Sequence, residues 1–520
     1  MSRQSLLDRL ASQPDWDVIV IGGGATGLGV ALDAAARRYS VALVEANDFA
    51  KGTSSRTTKL VHGGVRYLAQ GNVALVREAL RERAALLANA PHLAQPLPFV
   101  MPAYRWWEKA FYGAGLVLYD LLAGRAGLGK TQFLSRDKTL GLSPTARQTG
   151  LRGGVKYWDG QFDDARLAIA LARTANERGA CVVNYCKAVE LLRGAGQVSG
   201  VVVEDAETSR RFELRSRCVI NATGVWVDHI REMDSPGGAQ MVAPSQGVHL
   251  VVDREFLPTD HALLLPDTAD GRVLFAIPWL GKTLLGTTDT PRQDLVYEPR
   301  AFEQEIDFIL RESARYLSKA PTRKDVRSIW VGLRPLVRPV ESHGGKTKAI
   351  SREHTVVISK SGLVTVTGGK WTTYRAMAED VLEECFARKF LPRRDPGATT
   401  HLRLAGAPES SVVPVSAPPG LHLYGSDAST VGALPGAARE LAPGFTEAMV
   451  RFAVRYEFAR SVEDVLARRS RLLFLDAALA ASLAPDVAAI LAEELGESFD
   501  AAGSVREFEG LAKQYELPQN

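Results

Sequence analysis

The segment from 17 to 45 leaves this chain little choice of fold. Residues 17–21 (DVIVI) form a short β-branched run that stops at a glycine cluster. Residues 25–38 read as a helix rich in Ala and Leu, and residues 40–45 (SVALVE) are a second apolar run ending in an acid. Strand, helix and strand at this pitch make a βαβ unit, so the two strands pair in parallel. The turn between them, Gly22-Gly23-Gly24-Ala25-Thr26-Gly27, fits G-x-G-x-x-G. Gly22 permits the tight turn, Gly24 removes a side chain so that backbone can approach a pyrophosphate, and Gly27 lets the helix pack close to the strand. The helix start at Ala25 and Thr26 offers unpaired N–H groups to phosphates, and Glu45 can accept hydrogen bonds from a ribose diol. Alone, such a glycine string is often only a turn. After a strand, before a helix and with its acid in place, it reads as a dinucleotide site. The same unit holds the ADP half of FAD or of NAD.

Two later segments favour FAD. Ala222-Thr223-Gly224 follows the apolar run 218–221, and Gly368-Gly369-Lys370 follows the run 363–367, ahead of a helix starting at Trp371 and Thr372. Glycine after a strand lets backbone come close to a ligand, and a helix N-terminus there stabilises negative charge on a reduced flavin. A nucleotide-binding sheet assembled from such distant runs implies a domain inserted between them. Runs 247–253, 272–278 and 282–287 give that insert strand composition. Beyond about 447 the pattern turns helical, with Ser461 and Asp464 spaced as a capping box, after a loop-rich stretch at 408–443. The expected fold class is α/β: an FAD-binding, Rossmann-like domain (1–75, 150–235 and 345–388), an inserted β-rich substrate domain (76–149 and 236–344), and a C-terminal helical domain (389–520).

A chain of 520 residues exceeds one ordinary core. Its net charge of +4 gives no reason to expect a nucleic-acid partner. The four cysteines lack a CxxC pair or metal-ligand spacing, so buried thiols in a reducing compartment are expected and no metal is. No EF-hand loop supports calcium control. Residues 1–16 carry Arg3, Asp8 and Arg9 and lack the apolar core of a secretory signal. No run reaches the ~20 apolar residues of a membrane span. Residues 104–122 (YRWWEKAFYGAGLVLYDLL) read either as packed core or as a membrane-surface contact.

Several longer motifs carry a resemblance. GTSSRTTKLVHGGVRYL (52–68), YWDGQFDDARL (157–167), NATGVWVD (221–228), LGTTDT (285–290), GLRPLV (332–337), AISREH (349–354), TGGKWTTYR (367–375) and RYEFARSVEDVLARRSRLLFLD (455–476) run in order along the chain. Together with the N-terminal unit they resemble the FAD-dependent glycerol-3-phosphate dehydrogenases, within the wider D-amino-acid-oxidase-like flavoproteins. The resemblance implies oxidation of sn-glycerol 3-phosphate to dihydroxyacetone phosphate, hydride transfer from C2 to flavin N5, and electrons passed to a membrane quinone. It also implies a cytoplasmic protein attached peripherally to the inner face of the cell membrane, and a homodimer stays open.

By that resemblance Thr53, Ser54, Ser55, His62, Gly63 and Gly64 join the cofactor site, with FAD held non-covalently. A phosphate ester needs fixed cations, and the planar fork of arginine matches phosphate oxygens. The resemblance assigns the phosphate to Arg66, Tyr67 and Arg352, and sets His249, Arg334 and Lys370 around the reacting carbon. The base must reach the C2 hydroxyl. His249 has the ordinary pKa for that role, whereas arginine is a poor proton acceptor and suits stabilisation of the developing alkoxide.

Three rival readings remain at this stage. A glycerol-3-phosphate oxidase would share the first half-reaction and hand its electrons to oxygen. A non-catalytic flavoprotein redox sensor would need no second cationic pocket. An amine- or amino-acid-oxidising relative would select a carboxylate.

Overall fold

The computed structural model describes residues 2–64, 72–269, 271–338, 354–395, 398–411 and 413–517. Its first sheet has six strands, in the order Thr355–Ile358, Val364–Thr367, Val219–Asn221, Val18–Ile21, Val41–Val44 and Cys181–Val183. The first two of these pair antiparallel and the other neighbours parallel. Successive strand residues point to opposite faces, so the apolar run serves two cores at once. Val18 and Val20 enter one core with the helices Ala25–Ala36, Asp164–Glu177 and Tyr374–Ala387. Ile19 and Ile21 enter another with the N-terminal helix Arg3–Ser12 and a three-stranded antiparallel sheet, Cys186–Gly194, Gln197–Asp205 and Arg211–Arg215. The parallel βαβ unit expected at 17–45 is therefore present, with the helix ending at Ala36.

The second sheet is larger and mostly antiparallel. Val242–Asp253 lies near one end of it, paired with Lys282–Gly286 on one side and Val326–Val337 on the other. Leu274–Trp279, Ala262–Leu265, Ala94–Ala103 and Gly153–Phe162 continue it. One expected boundary is corrected here. Gly153–Phe162 pairs along its whole length with Ala94–Ala103, and Leu60–Val61 pairs with it on the other edge. Both therefore belong to the β-rich sheet, because backbone hydrogen bonding and not sequence neighbourhood decides sheet membership.

The C-terminal region is helical, as its sequence suggests. Glu447–Tyr456, Ala477–Leu495 and Ala501–Ala512 share a core with the underside of the β-rich sheet, through residues such as Phe99, Trp279 and Trp330. The capping box forms: Asp464 N–H donates to Ser461 Oγ at 3.1 Å and Ser461 N–H to Asp464 Oδ2 at 3.2 Å. A π-helical turn follows, Asp464–Arg469, in which Ser470 N–H donates five residues back to the Val465 carbonyl at 2.8 Å. That wide turn brings Arg468 and Arg469 into the same buried site. Both donate to the Asp48 carboxylate of the first domain, and Arg468 also donates to Glu463 and Asp464, each at 2.7 Å.

The segment expected as core or membrane contact packs one side of a helix into the protein and leaves the other side exposed. In the helix Glu108–Ala123, Leu116 and Tyr119 are buried while Phe111, Leu118 and Leu121 share an exposed face. No helix among the described residues is long and apolar enough to cross a membrane.

Candidate active site

The two sheets meet over a cleft of about 610 Å³. The floor on the nucleotide side is built by turns that only glycine allows. At Gly22, φ is 112° and an added Cβ would lie 2.7 Å from the Ala222 carbonyl oxygen. Gly27 stays behind the cleft, where a Cβ would meet the Gly22 oxygen at 1.9 Å, so it serves the close packing of helix on strand. At Gly24, which faces the cleft, the only near neighbour of a Cβ would be Ser54 Oγ at 3.1 Å. Gly24 thus leaves open room beside the helix N-terminus, with Ala25 and Thr26 on the lining. Ser54 Oγ accepts the Ala25 N–H at 2.9 Å and so caps that helix.

Glu45 lines the cleft and accepts the N–H groups of Gly23 at 2.6 Å and Asn47 at 2.9 Å. Its burial raises the carboxyl pKa against those two hydrogen bonds. An acid, a bare glycine edge and a helix N-terminus in one concavity fit the ADP half of a dinucleotide.

The flavin end comes from the other turns. Ala222, Thr223 and Gly224 line the cleft, as do Gly368 and Gly369, which have φ of 82° and 71°. Lys370, Trp371 and Thr372 follow them on the lining. The segment 53–62 is sewn between the two sheets: Thr53 Oγ1 donates to the Leu333 carbonyl at 2.6 Å, and Trp371 Nε1 to the Ser54 carbonyl at 2.9 Å. Thr372 Oγ1 reaches the His62 carbonyl at 3.4 Å, and His62 itself lines the cleft. Three expected cofactor residues are displaced from it. Ser55 turns its carbonyl into a buried ion cluster, Gly63 gives its N–H to Tyr119 Oη at 2.9 Å, and Gly64 lies off the lining.

His249, Arg334 and Lys370 all reach this cleft. His249 lies in the strand Val242–Asp253, opposite Trp330 and Gly286. Its ring stacks on Trp330 with centroids 5.3 Å apart, and Gly286 leaves room for the other face. Its Nε2 is 3.0 Å from Thr58 Oγ1. Burial, and then the charges of Lys59 and Arg334, hold its pKa well below the ordinary imidazole value. The ring is neutral at physiological pH, so the expectation of an ordinary histidine pKa is corrected. Desolvation disfavours the imidazolium.

Arg334 is held by four acceptors. Nη1 donates to Asp289 at 2.8 Å and to the Gln246 carbonyl at 3.2 Å, and Nη2 to the Thr288 carbonyl at 2.8 Å and Thr287 Oγ1 at 3.3 Å. Gly247 lies against the guanidinium, where a Cβ would come within 2.2 Å of Nη2. Arg66, Tyr67 and Arg352 lie outside the described residues. No group of three His, Cys, Asp or Glu side chains that could hold a metal is found among the described residues. The four cysteines are buried free thiols.

Sequence reasoning passed over Thr58, although it stands in the motif 52–68. Spacing gave no signal for it: Thr57 and Thr58 both line the cleft, while Lys59 is fully buried. Trp226 and Tyr297, stacked with centroids 4.4 Å apart, also line the cleft and had no signal in spacing.

Comparison with known proteins agrees with this geometry. Residues 17–375 match the family described as FAD dependent oxidoreductase, and residues 398–501 match the C-terminal domain of alpha-glycerophosphate oxidase. The chain is 41% identical to the mitochondrial glycerol-3-phosphate dehydrogenase of Homo sapiens, over 95% of this chain and 72% of that protein. It is 40% identical to the mitochondrial glycerol-3-phosphate dehydrogenase of Arabidopsis thaliana, over 94% and 84%. Among solved structures, the glycerol-3-phosphate dehydrogenase of Bacillus halodurans complexed with FAD superposes with a TM-score of 0.78 at 30% identity. That match covers 100% of this chain and 98% of the other. With its glycine cradle, its paired domains and these relatives, the chain belongs to the FAD-dependent glycerol-3-phosphate dehydrogenase family, and FAD is its cofactor.

Proposed function

We propose that the protein oxidises sn-glycerol 3-phosphate to dihydroxyacetone phosphate. What supports this reading is the convergence of His249, Arg334 and Lys370 on the same cleft as the nucleotide cradle. Held by the glycine turn at 22–27, by Ala222, Thr223 and Gly224 and by Gly368, Gly369 and Lys370, bound FAD would supply the two-electron acceptor for oxidation at C2, with a membrane quinone as the final acceptor. Neutral His249 accepts the proton of the C2 hydroxyl, since an uncharged ring has a lone pair to offer. Arg334, fixed by its four acceptors, and Lys370 stabilise the negative charge that develops on that oxygen. Arg66, Tyr67 and Arg352 take the phosphate, as the family resemblance implies.

The discriminating experiment is anaerobic addition of glycerol 3-phosphate to the purified yellow protein. Bleaching of the flavin band by this ester, and not by amino acids, is the expected result. An unbleached flavin would end the reading. The C-terminal match to an oxidase domain favours one second reading, in which oxygen takes the electrons. Stoichiometric peroxide under air, with no faster turnover on a quinone, would select it.

The acceptor bears on location. Phe111, Leu118 and Leu121 form an exposed apolar face of the helix Glu108–Ala123, Trp106 just before it is 81% exposed, and the exposed Arg105, Arg125 and Lys130 lie close by in sequence. Such a face suits the boundary of a bilayer, with the basic groups against anionic headgroups, so we place the protein on the inner face of the cell membrane. Co-sedimentation with vesicles containing anionic lipid is expected. Phe111→Ser with Leu121→Ser is expected to abolish it at unchanged flavin content, and equal sedimentation of the double variant would refute the placement.

A further inference from the structure

Lys59 and Arg471 both carry side chains yet sit in the left-handed region, with φ of 61° and 68°. Residues with a Cβ are disfavoured there, and such strain persists only where the surrounding structure over-determines it. These two come from opposite ends of the chain and finish on one carboxylate. Lys59 Nζ donates to Asp164 Oδ1 and Oδ2 at 2.9 and 2.8 Å and to the Ser55 carbonyl at 2.7 Å. Arg471 Nη2 donates to Asp164 Oδ1 at 3.0 Å and to the same Ser55 carbonyl at 2.8 Å. All three side chains are fully buried.

The carboxylate in turn holds the loop that passes under the cleft. Asp164 Oδ2 accepts the Thr57 N–H at 3.0 Å and Thr57 Oγ1 at 2.7 Å. Thr57 and Lys59 are thus both anchored on Asp164, which fixes the backbone on either side of Thr58, and the Thr58 hydroxyl meets His249 Nε2 on the cleft lining. A second route reaches the same ring. Lys59 Nζ lies 5.2 Å from the centroid of Trp330, and Trp330 is the ring stacked on His249. The neighbouring arginines already tie the domains together: Arg468 and Arg469 bind Asp48. Arg471, one residue past them, is directed at Asp164 instead.

We propose that Arg471 is a positioning residue for substrate oxidation: acting through Asp164, it sets the Thr58 hydroxyl and with it the orientation of the His249 ring. The C-terminal domain thereby completes the active site from behind without touching the substrate. A hydrogen bond to a ring nitrogen selects the tautomer and holds the plane of the ring, and a misplacement of about 1 Å at a reacting group costs rate far more than it costs binding. The inference rests on the proposed role of His249 in oxidising glycerol 3-phosphate.

The test is a double-mutant cycle on the holoenzyme with Arg471→Met, Thr58→Val and the double variant. Flavin content, melting temperature, and the limiting rate and apparent Kd of anaerobic flavin bleaching by glycerol 3-phosphate are measured for each. Each single change is expected to slow the limiting rate at least about tenfold, with apparent Kd and flavin content near wild type. The double variant is expected to be no slower than the slower single, because both act on one contact. Thr58→Ser, which restores the hydroxyl, is expected to recover the rate. Multiplicative losses in the double variant would overturn the proposal. So would an Arg471→Met holoenzyme that bleaches at the normal rate, whatever its stability. Should Arg471→Met yield no holoenzyme, Arg471→Lys, which shortens the donor fork but keeps a cation, replaces it in the same cycle. Failure of the wild type itself to bleach would strike the functional reading, not this one.

Discussion

Arg334→Ala is expected to slow flavin reduction by glycerol 3-phosphate about 100- to 1,000-fold, the range lost when one preorganised donor to a developing oxyanion is removed. The guanidinium is already desolvated on one side and fixed by Asp289, Gln246, Thr287 and Thr288. No reorganisation is therefore needed when charge appears on the substrate oxygen. Gly247→Ala supplies a second arm, because it retains the charge. Its Cβ would come within 2.2 Å of Nη2, pushing the guanidinium aside, and a loss approaching that of Arg334→Ala would show that position matters as much as charge. His249→Ala is expected to fall in the range for a lost general base, about 100- to 10,000-fold. Rapid-mixing measurements without oxygen distinguish these outcomes. Normal reduction in His249→Ala beside a dead Arg334→Ala would sink the division of roles between acceptor and charge stabiliser.

The second large effect concerns stability. Asp48→Ala removes the carboxylate to which Arg468 and Arg469 both donate, and all three side chains are fully or almost fully buried. Arg468 would keep Glu463 and Asp464, but Arg469 would keep only the carbonyls of Glu457 and Asp464. Leaving a buried charge uncompensated costs about 3 to 5 kcal/mol, so a drop in thermal midpoint of about 3 to 5 °C is expected. A midpoint within about 1 °C of wild type would contradict the account. The pH dependence has a definite sign. Burial pushes the Asp48 carboxyl up, but Arg469 and Arg468 outweigh it and hold it below the usual value. Burial acts likewise on Glu463, which Arg468 and Lys51 bring down to about 2. Carboxyls depressed in the folded state contribute stability above their unfolded pKa of about 4. That contribution fades as pH falls toward 2. The difference between wild type and Asp48→Ala is therefore expected to shrink in acid.

Much of the nucleotide half could be read directly from the residues. The alternation of Val18, Ile19, Val20 and Ile21 between two cores, the positive φ at Gly22 and the close contact at Gly27 are local consequences of residue type. The parallel pairing of Val41–Val44 follows from the intervening helix. The membership of Gly153–Phe162 in the β-rich sheet was not legible, because its partner Ala94–Ala103 is named by hydrogen bonding across distant sequence. The pKa of His249 was hidden for a similar reason: burial, Lys59 and Arg334 depress it, and only the folded chain brings them together. Ser55 looked like a phosphate ligand in its motif, yet its carbonyl is taken by two cations, one of them from the far end of the chain.

That last contact has a consequence for how the protein is made. Arg471 reaches back 416 positions to Ser55, and Arg469 reaches back 421 to Asp48. Contacts of such sequence separation form late, since closing long loops costs entropy before packing repays it. Until the segment carrying Arg468, Arg469 and Arg471 has been synthesised, the glycine cradle can already exist, but Asp48 lacks both of its arginines and Asp164 has Lys59 without Arg471. A nascent chain is thus able to recognise its cofactor before it is able to use it.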